Sequence, residues 1–411
     1  MSAATRDVPL GEPRARPRAA PFPASLFAYG FRPFFLLAGA YAFLLIALWL
    51  AEFLTGFWPF DPPPLEALHV HELFYGFVAA AIAGFLLTAV PGWTNGHVMR
   101  GMRLAGLVAL WALGRAAVLA AAALPGALVA ALDLAFLAAL LGLTAPVLIR
   151  AKRPRNLPIL ALLAALIAAN LLFHLSWLGV VPDGVSIGTI IVIDVVLFLV
   201  AMIAGRIIPA FTLNALRRRG TPVEIRPWPR FEIAVLAATA LILPFDLAPL
   251  GAWPVGIVAA VAALLHALRL ARWYGHRTWP EPIVLILHIA YAWIPVGLAL
   301  KALWLLGGVG MPSTPVHALT AGAFAGMIMA VMTRASLGHT GRPLVAPPLI
   351  AASYAFVTLA ALVRVFVPLA DGAMLEPAVI ASAGLWLVAF ALFLVVFAPI
   401  LCRPRPDGRP G

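Results

Sequence analysis

Charge is scarce in this chain. Asp, Glu, Lys and Arg together make up 11% of its 411 residues, and only 16 of these are acidic. A soluble domain carries nearer a quarter, so a water-soluble globule is excluded. A disordered chain is excluded too, because it needs a largely polar composition. Cysteine is almost absent: Cys402 stands alone, which rules out an intramolecular disulfide framework. No Cys-x-x-Cys-His run offers covalent haem attachment. The first 24 residues contain no apolar stretch of the kind a cleavable signal peptide requires. Rich in Arg, Pro and Ala, residues 1–25 read as a disordered cytoplasmic arm.

What fills the chain is apolar: hydrophobic residues account for 64%. About 20 mostly apolar residues are needed to cross the hydrocarbon as a helix. Twelve windows meet this, near 33–54, 69–91, 103–122, 124–149, 157–178, 185–208, 231–249, 251–273, 281–305, 314–335, 346–369 and 376–400. The seventh is the weakest, with Pro244 and Asp246 near its end. The expected fold is an all-α polytopic membrane protein of 12 transmembrane helices. It forms a single domain over residues 26–402, followed by a cytoplasmic tail at 403–411.

The formal net charge of +12 resembles a nucleic-acid signature until its placement is read. The arm, loops 2–3, 4–5, 6–7, 8–9 and 10–11, and the tail hold the arginines. The intervening loops hold Glu52, Asp61, Glu66, Asp183, Asp246, Asp371 and Glu376. Basic loops face the cytoplasm, so both termini are expected there. The charge then reflects topology and contact with the lipid bilayer, not a nucleic-acid partner. Helices 2 and 10 both open with His-x-Leu-x-x-Gly, at His71 and His317, and helices 2 and 6 both contain Ala-Gly. This spacing allows three quasi-repeated four-helix units. Motifs concentrate on helices 1, 2, 5, 6, 9 and 10, which are expected to form the inner core.

Polar groups at bilayer depth default to function. His69, His71, His174 and His317 stand at the outer ends of helices 2, 5 and 10, at one depth. If His69 and His71 are helical, they point about 200° apart and serve two centres. If the entry after Pro62-Pro63-Pro64 is extended, they share one side. Imidazole ligands suit haem iron, copper or zinc. A haem clamped between His71 and His317 is one solution. Glu72 follows His71 and is positioned to orient an imidazole, to ligate or to carry protons. His288 and Tyr291, three residues apart, form a second ligand set or proton relay, and Asp194 is a proton-path carboxylate or the partner of an arginine such as Arg115 or Arg364. Glu72, Tyr291 and Asp194 are therefore the catalytic candidates. Arg32, Arg206 and Arg334 at the inner helix ends suit carboxylates such as haem propionates, with His339 close by in sequence. His97, His266 and His276 read as solvated interfacial side chains.

At these residues the chain resembles the NnrS family of bacterial membrane proteins linked to the nitric oxide response. The likeness rests on Gly30-Phe-Arg-Pro-Phe-Phe35, His69-x-His71-Glu72, Gly84-Phe-Leu-Leu-Thr-Ala-Val-Pro-x-Trp93, Asn170-Leu-Leu-Phe-His174, Gly205-Arg-Ile-Ile-Pro-x-Phe-Thr-x-Asn214, His288-x-x-Tyr-Ala-Trp293 and the stretch from His317 to Arg342. The resemblance implies a twelve-helix inner-membrane protein holding b-type haem and copper and protecting against nitrosative stress. It makes His69, His71, His174, His288, His317 and His339 metal-ligand candidates. Such a protein binds nitric oxide or turns it over as an oxidoreductase, with quinol as the electron donor. Two other readings remain open from the residues alone. One is a transporter of a metal, haem or small anion, with helices broken near Pro209 and Pro295. The other is a sensor or metal-insertion partner.

Overall fold

The computed structural model describes residues 25–58 and 64–409. The arm over 1–24 and the prolines at 62 and 63 lie outside the described residues. Twelve long helices follow in order: α1 (Phe31–Thr55), α2 (Leu65–Thr94), α3 (Met102–Leu119), α4 (Gly126–Arg150), α5 (Pro158–Trp177) and α6 (Gly184–Arg218). They continue as α7 (Pro229–Leu247), α8 (Ala252–Ala271), α9 (Pro282–Gly307), α10 (Ser313–His339), α11 (Pro348–Ala370) and α12 (Leu375–Cys402). Eleven are long and apolar enough to cross a membrane, so the chain is a multi-pass membrane protein. The exception is α7, the weakest of the twelve windows. Arg230, Glu232 and Asp246 leave it without an uninterrupted apolar run. Both acids are paired, Glu232 with Arg269 of α8 and Asp246 with Lys301 of α9, which lets α7 pack among apolar neighbours.

Three helices differ from their sequence windows in ways that matter for the site. α2 begins at Leu65, so His69 and His71 are helical and not part of an extended entry. α6 runs unbroken through Pro209 to Arg218, carrying the Gly205–Asn214 motif as helix. α10 runs on to His339, so Arg334 and His339 lie within it. α9 likewise passes through Pro295 without a break. The interrupted helices that a carrier would show at these two prolines are not formed.

α1 packs between α2 and α12, α6 packs against α5, α7 and α9, and α9 packs against α8 and α10. The most apolar stretches of α2, α6, α9 and α10 are 78%, 67%, 67% and 67% buried, against 33–44% for the other spanning helices. Four of the six expected core helices thus form the centre. α1 is intermediate, and α5 is no more buried than α3 or α11, because only its Asn170–Phe173–His174 face turns inward.

One end of the bundle gathers the basic segments. Arg32 at the start of α1 donates to the carbonyls of Leu401 and Arg403 at the end of α12 (2.8 Å each). Arg405 donates to His339 O at the end of α10, and Gly101 N–H donates to Phe27 O. Arg334 lies 3.8 Å over the Phe211 ring of α6, and Arg218 pairs with Glu281. The first and last helices therefore meet at the end where the basic loops converge.

Candidate metal centre

Two helices share an uncommon device. After His71-Glu72, α2 widens into a π-helical segment, Leu73–Val78, and after His317, α10 does the same over Ala318–Phe324. Such segments frequently mark functional sites. Each contains the glycine of the His-x-Leu-x-x-Gly run, and each glycine admits an aromatic ring. A Cβ on Gly76 would lie 2.1 Å from the Tyr41 ring, and one on Gly322 would lie 2.4 Å from Trp293. The glycines are there for close approach, which fixes the aromatic side chains of α1 and α9 against α2 and α10.

Because α2 is helical at its start, its two histidines serve two places. His71 belongs to a fully buried polar cluster drawn from α1, α2, α3, α4 and α5. Its Nδ1 lies 2.9 Å from Glu72 Oε1, and its Nε2 lies 2.8 Å from Asn170 Oδ1 and 3.1 Å from Asp133 Oδ2. His174 Nε2 lies 2.8 Å from the same Asp133 oxygen, and Asn170 Nδ2 donates to it at 2.9 Å. Arg115 pairs with both Glu72 and Asp133, and Tyr41 donates its hydroxyl to Glu72. His71, Asp133 and His174 offer ligand atoms within 4.8 Å of one another.

Two features of this cluster favour a cation. Glu72 and Asp133 are opposed by one guanidinium, leaving one negative charge in a buried site, and uncompensated buried charge is expensive. In addition, both ring nitrogens of His71 face oxygens, while a neutral imidazole carries a single N–H. With that proton on Nδ1, donated to Glu72, the Nε2 lone pair faces the Asp133 carboxylate. A metal ion held by His71 Nε2, His174 Nε2 and Asp133 would remove the conflict and the excess charge. Glu72 would then stand behind His71 as the carboxylate that fixes a ligating imidazole's tautomer and orientation.

His69 points elsewhere. Its ring packs on Trp49 at 5.1 Å between centroids, and its buried Nδ1 has no partner. It lies within electrostatic reach of Arg364 of α11, as does His317, and His317 also senses His69. His317 Nδ1 donates to Ser313 O at 2.8 Å, which leaves its Nε2 as a free lone pair. His317 is thus within electrostatic reach of His69, whereas the His71 of the expected α2–α10 clamp bonds into the Glu72, Asn170 and Asp133 cluster. Arg364 has no hydrogen bond or ion pair among the described residues.

A third cluster sits near the basic end. His266 is fully buried, with Nδ1 at 2.6 Å from the Tyr291 hydroxyl and Nε2 at 2.9 Å from that of Thr239. It is not the solvated interfacial side chain that its neighbouring arginines suggest. Arg269 pairs with Glu232 and donates to Ala201 O and Tyr291 OH. A Cβ on Gly205 would strike the Arg269 guanidinium, so that glycine exists to let it in. Tyr291 thus joins His266 and Arg269. His288, its expected partner, bonds Thr212 at 2.8 Å while its Nδ1 has no partner.

The remaining candidates disperse. Arg32 caps α12, Arg206 binds Asn156 and Arg155 O, and Arg334 stacks on Phe211, so they do not converge on one ligand. His339 packs against Tyr29 and Phe31. Asp194 is within electrostatic reach of Asp246 and Lys301, while Arg115, one of its expected partners, pairs with Glu72 and Asp133. A cleft of about 840 Å³ opens at the basic end, lined by Leu86, Val90, His97, Arg100 and Arg103 among others; none of the clustered histidines reaches it. The sequence reading missed Asp133 and Tyr41 and misplaced Arg115. A lone Asp in the apolar run of α4 and an Arg well inside α3 were the available signals.

The fold and this site define a multi-pass membrane protein with a buried histidine–carboxylate cluster able to hold a metal ion. The chain belongs to the NnrS protein family, whose sequence profile matches residues 25–405. A search of curated proteins found no match.

Proposed function

We propose that the protein is a haem- and copper-holding protein of the bacterial inner membrane that binds or turns over nitric oxide, with quinol as electron donor. Family membership supports the nitric oxide link. The observation that carries the metal assignment is the His71–Asp133–His174 set, with its excess negative charge and its frustrated imidazole. Two imidazoles and a carboxylate admit copper, zinc or iron, and copper is taken here from the family resemblance. His69 and His317 would hold haem iron from two helices, and Arg364 would meet a haem carboxylate. Bound, the two metals would supply sites at which nitric oxide binds and exchanges electrons. The chain's own residues hold the site dry and aligned. Arg115 pairs with Glu72 and Asp133, Glu72 orients the His71 imidazole through Nδ1, and Tyr41, hydrogen-bonded to Glu72, is the adjacent group from which a proton can be relayed.

The test is a reduced-minus-oxidised visible spectrum of the detergent-purified protein, with iron and copper quantified on the same sample, before and after nitric oxide. His71→Ala, Asp133→Ala and His174→Ala should each lose copper and keep the haem spectrum. His317→Ala should lose the haem spectrum, and His276→Ala should change neither. Full copper retention in all three cluster variants would sink the copper assignment, and an unperturbed haem spectrum under nitric oxide would sink the activity.

A further inference from the structure

We propose that the cleft at the basic end of the bundle is a binding site for one anionic phospholipid. Arg100 and Arg103 hold the lipid phosphate, and an acyl chain lies between α2 and α4. The cleft has a volume of about 840 Å³, within the range of small-molecule sites. Its floor is apolar. Leu86 and Val90 of α2 are buried in it, and Leu143 and Val147 of α4, 42% and 37% exposed, extend it outward. Its rim is cationic. His97 and Arg100 stand on the connection between α2 and α3, and Arg103 is on the first turn of α3. No acidic residue lines it.

The rim is also uncommitted. Other arginines at this end have partners: Arg32 caps α12, Arg206 holds Asn156, and Arg218 pairs with Glu281. Arg100 and Arg103 are exposed, and neither has a hydrogen bond or ion pair among the described residues. The backbone adds to their charge. The first intrahelical bond of α3 is made by Ala105 N–H to Gly101 O, so the N–H groups of the turn before it open on the rim. An 18-residue helix presents partial positive charge there.

The combination selects the ligand. A soluble anion has no use for the apolar floor, and a neutral lipid leaves two guanidinium groups unopposed. A net-negative phospholipid satisfies both parts. The depth agrees as well. α2 ends at Thr94 and α3 begins at Met102, so the rim lies where spanning helices leave the hydrocarbon and lipid phosphates reside. The site is separate from the metal centre, since none of the clustered histidines lines it.

The experiment uses delipidated, detergent-purified full-length protein. It is titrated with dioleoyl phosphatidylglycerol or dioleoyl phosphatidylcholine, and bound lipids are counted by native mass spectrometry. One phosphatidylglycerol should bind more tightly than any phosphatidylcholine. Arg100→Gln/Arg103→Gln should weaken it roughly fivefold for each arginine removed. Arg153→Gln/Arg217→Gln removes the same charge outside the cleft and should keep the preference. Val147→Trp fills the acyl groove and should weaken both lipids. All five substituted side chains are exposed, so the comparison does not turn on folding. Equal binding of the two lipids by the wild type overturns the proposal, as do equal losses in the two arginine variants. Unchanged binding in Val147→Trp also overturns it. So does displacement of the lipid by an equal concentration of inorganic phosphate, which would make the cleft a site for soluble anions.

Discussion

Arg115 shows how single charges are made tolerable in this bundle. It is buried, and it opposes two buried carboxylates from different helices, Glu72 and Asp133. Removing it leaves both uncompensated, a change that in buried networks costs about 3–5 kcal/mol. Arg115→Met is therefore expected to lower the unfolding midpoint in detergent sharply. Asp133→Asn, which removes one negative charge and keeps the shape, should cost much less. Equal losses in the two variants would show that the guanidinium acts by packing and not by charge. The same logic explains which site residues sequence could disclose. His71, Glu72 and His174 were legible because polar residues stand out in apolar helices. The partner of each was not, because partnership depends on helix rotation and neighbour order, which no motif encodes. His266 was misread for that reason. Flanking arginines suggest solvent, yet the helix turns Arg269 and His266 together toward Glu232 and Tyr291.

At the scale of elements, the two π-helical segments are where sequence pattern and geometry meet. The shared His-x-Leu-x-x-Gly run marked α2 and α10, but period alone reads both as ordinary helix. The wider turn is registered only by the ring that enters over the glycine. Adding a methyl there overpacks a filled site, at about 1–3 kcal/mol. At Gly76 the ring displaced is that of Tyr41, which holds Glu72. Gly76→Ala is thus expected to lower both thermal stability and copper content, whereas Gly106→Ala, where nothing lies within 4 Å, should change neither. Retained copper at unchanged stability in Gly76→Ala would separate the π turn from the metal centre. Helix extents were the other gap. Windows closed early at Arg206 and Arg334, because charge ends an apolar run even where the helix continues into the interface.

At the scale of the molecule, the apolar runs were the legible part of the fold: the twelve windows correspond to twelve long helices among the described residues, eleven of them apolar enough to cross a membrane, and the alternation of charge predicts which ends face which side. Twelve apolar runs separated by alternately basic and acidic loops can sort their charges only if the ends alternate. The contacts at the basic end join the start of α1, the end of α10 and the end of α12. An even number of crossings returns the chain to its starting side, so α7 is expected to cross despite its charges. Basic loops are retained in the cytoplasm, so the loop at Arg153 is expected inside and the loop at Asp183 outside. Both positions are exposed, and the single native cysteine can be removed as Cys402→Ser without leaving a second thiol. In that background, a membrane-impermeant maleimide should label Asp183→Cys in intact spheroplasts and label Arg153→Cys only after the membrane is opened. Labelling of both before opening would break the alternation. The reverse order would place the histidine–carboxylate cluster at the cytoplasmic end of the bundle, and with it any metal held there.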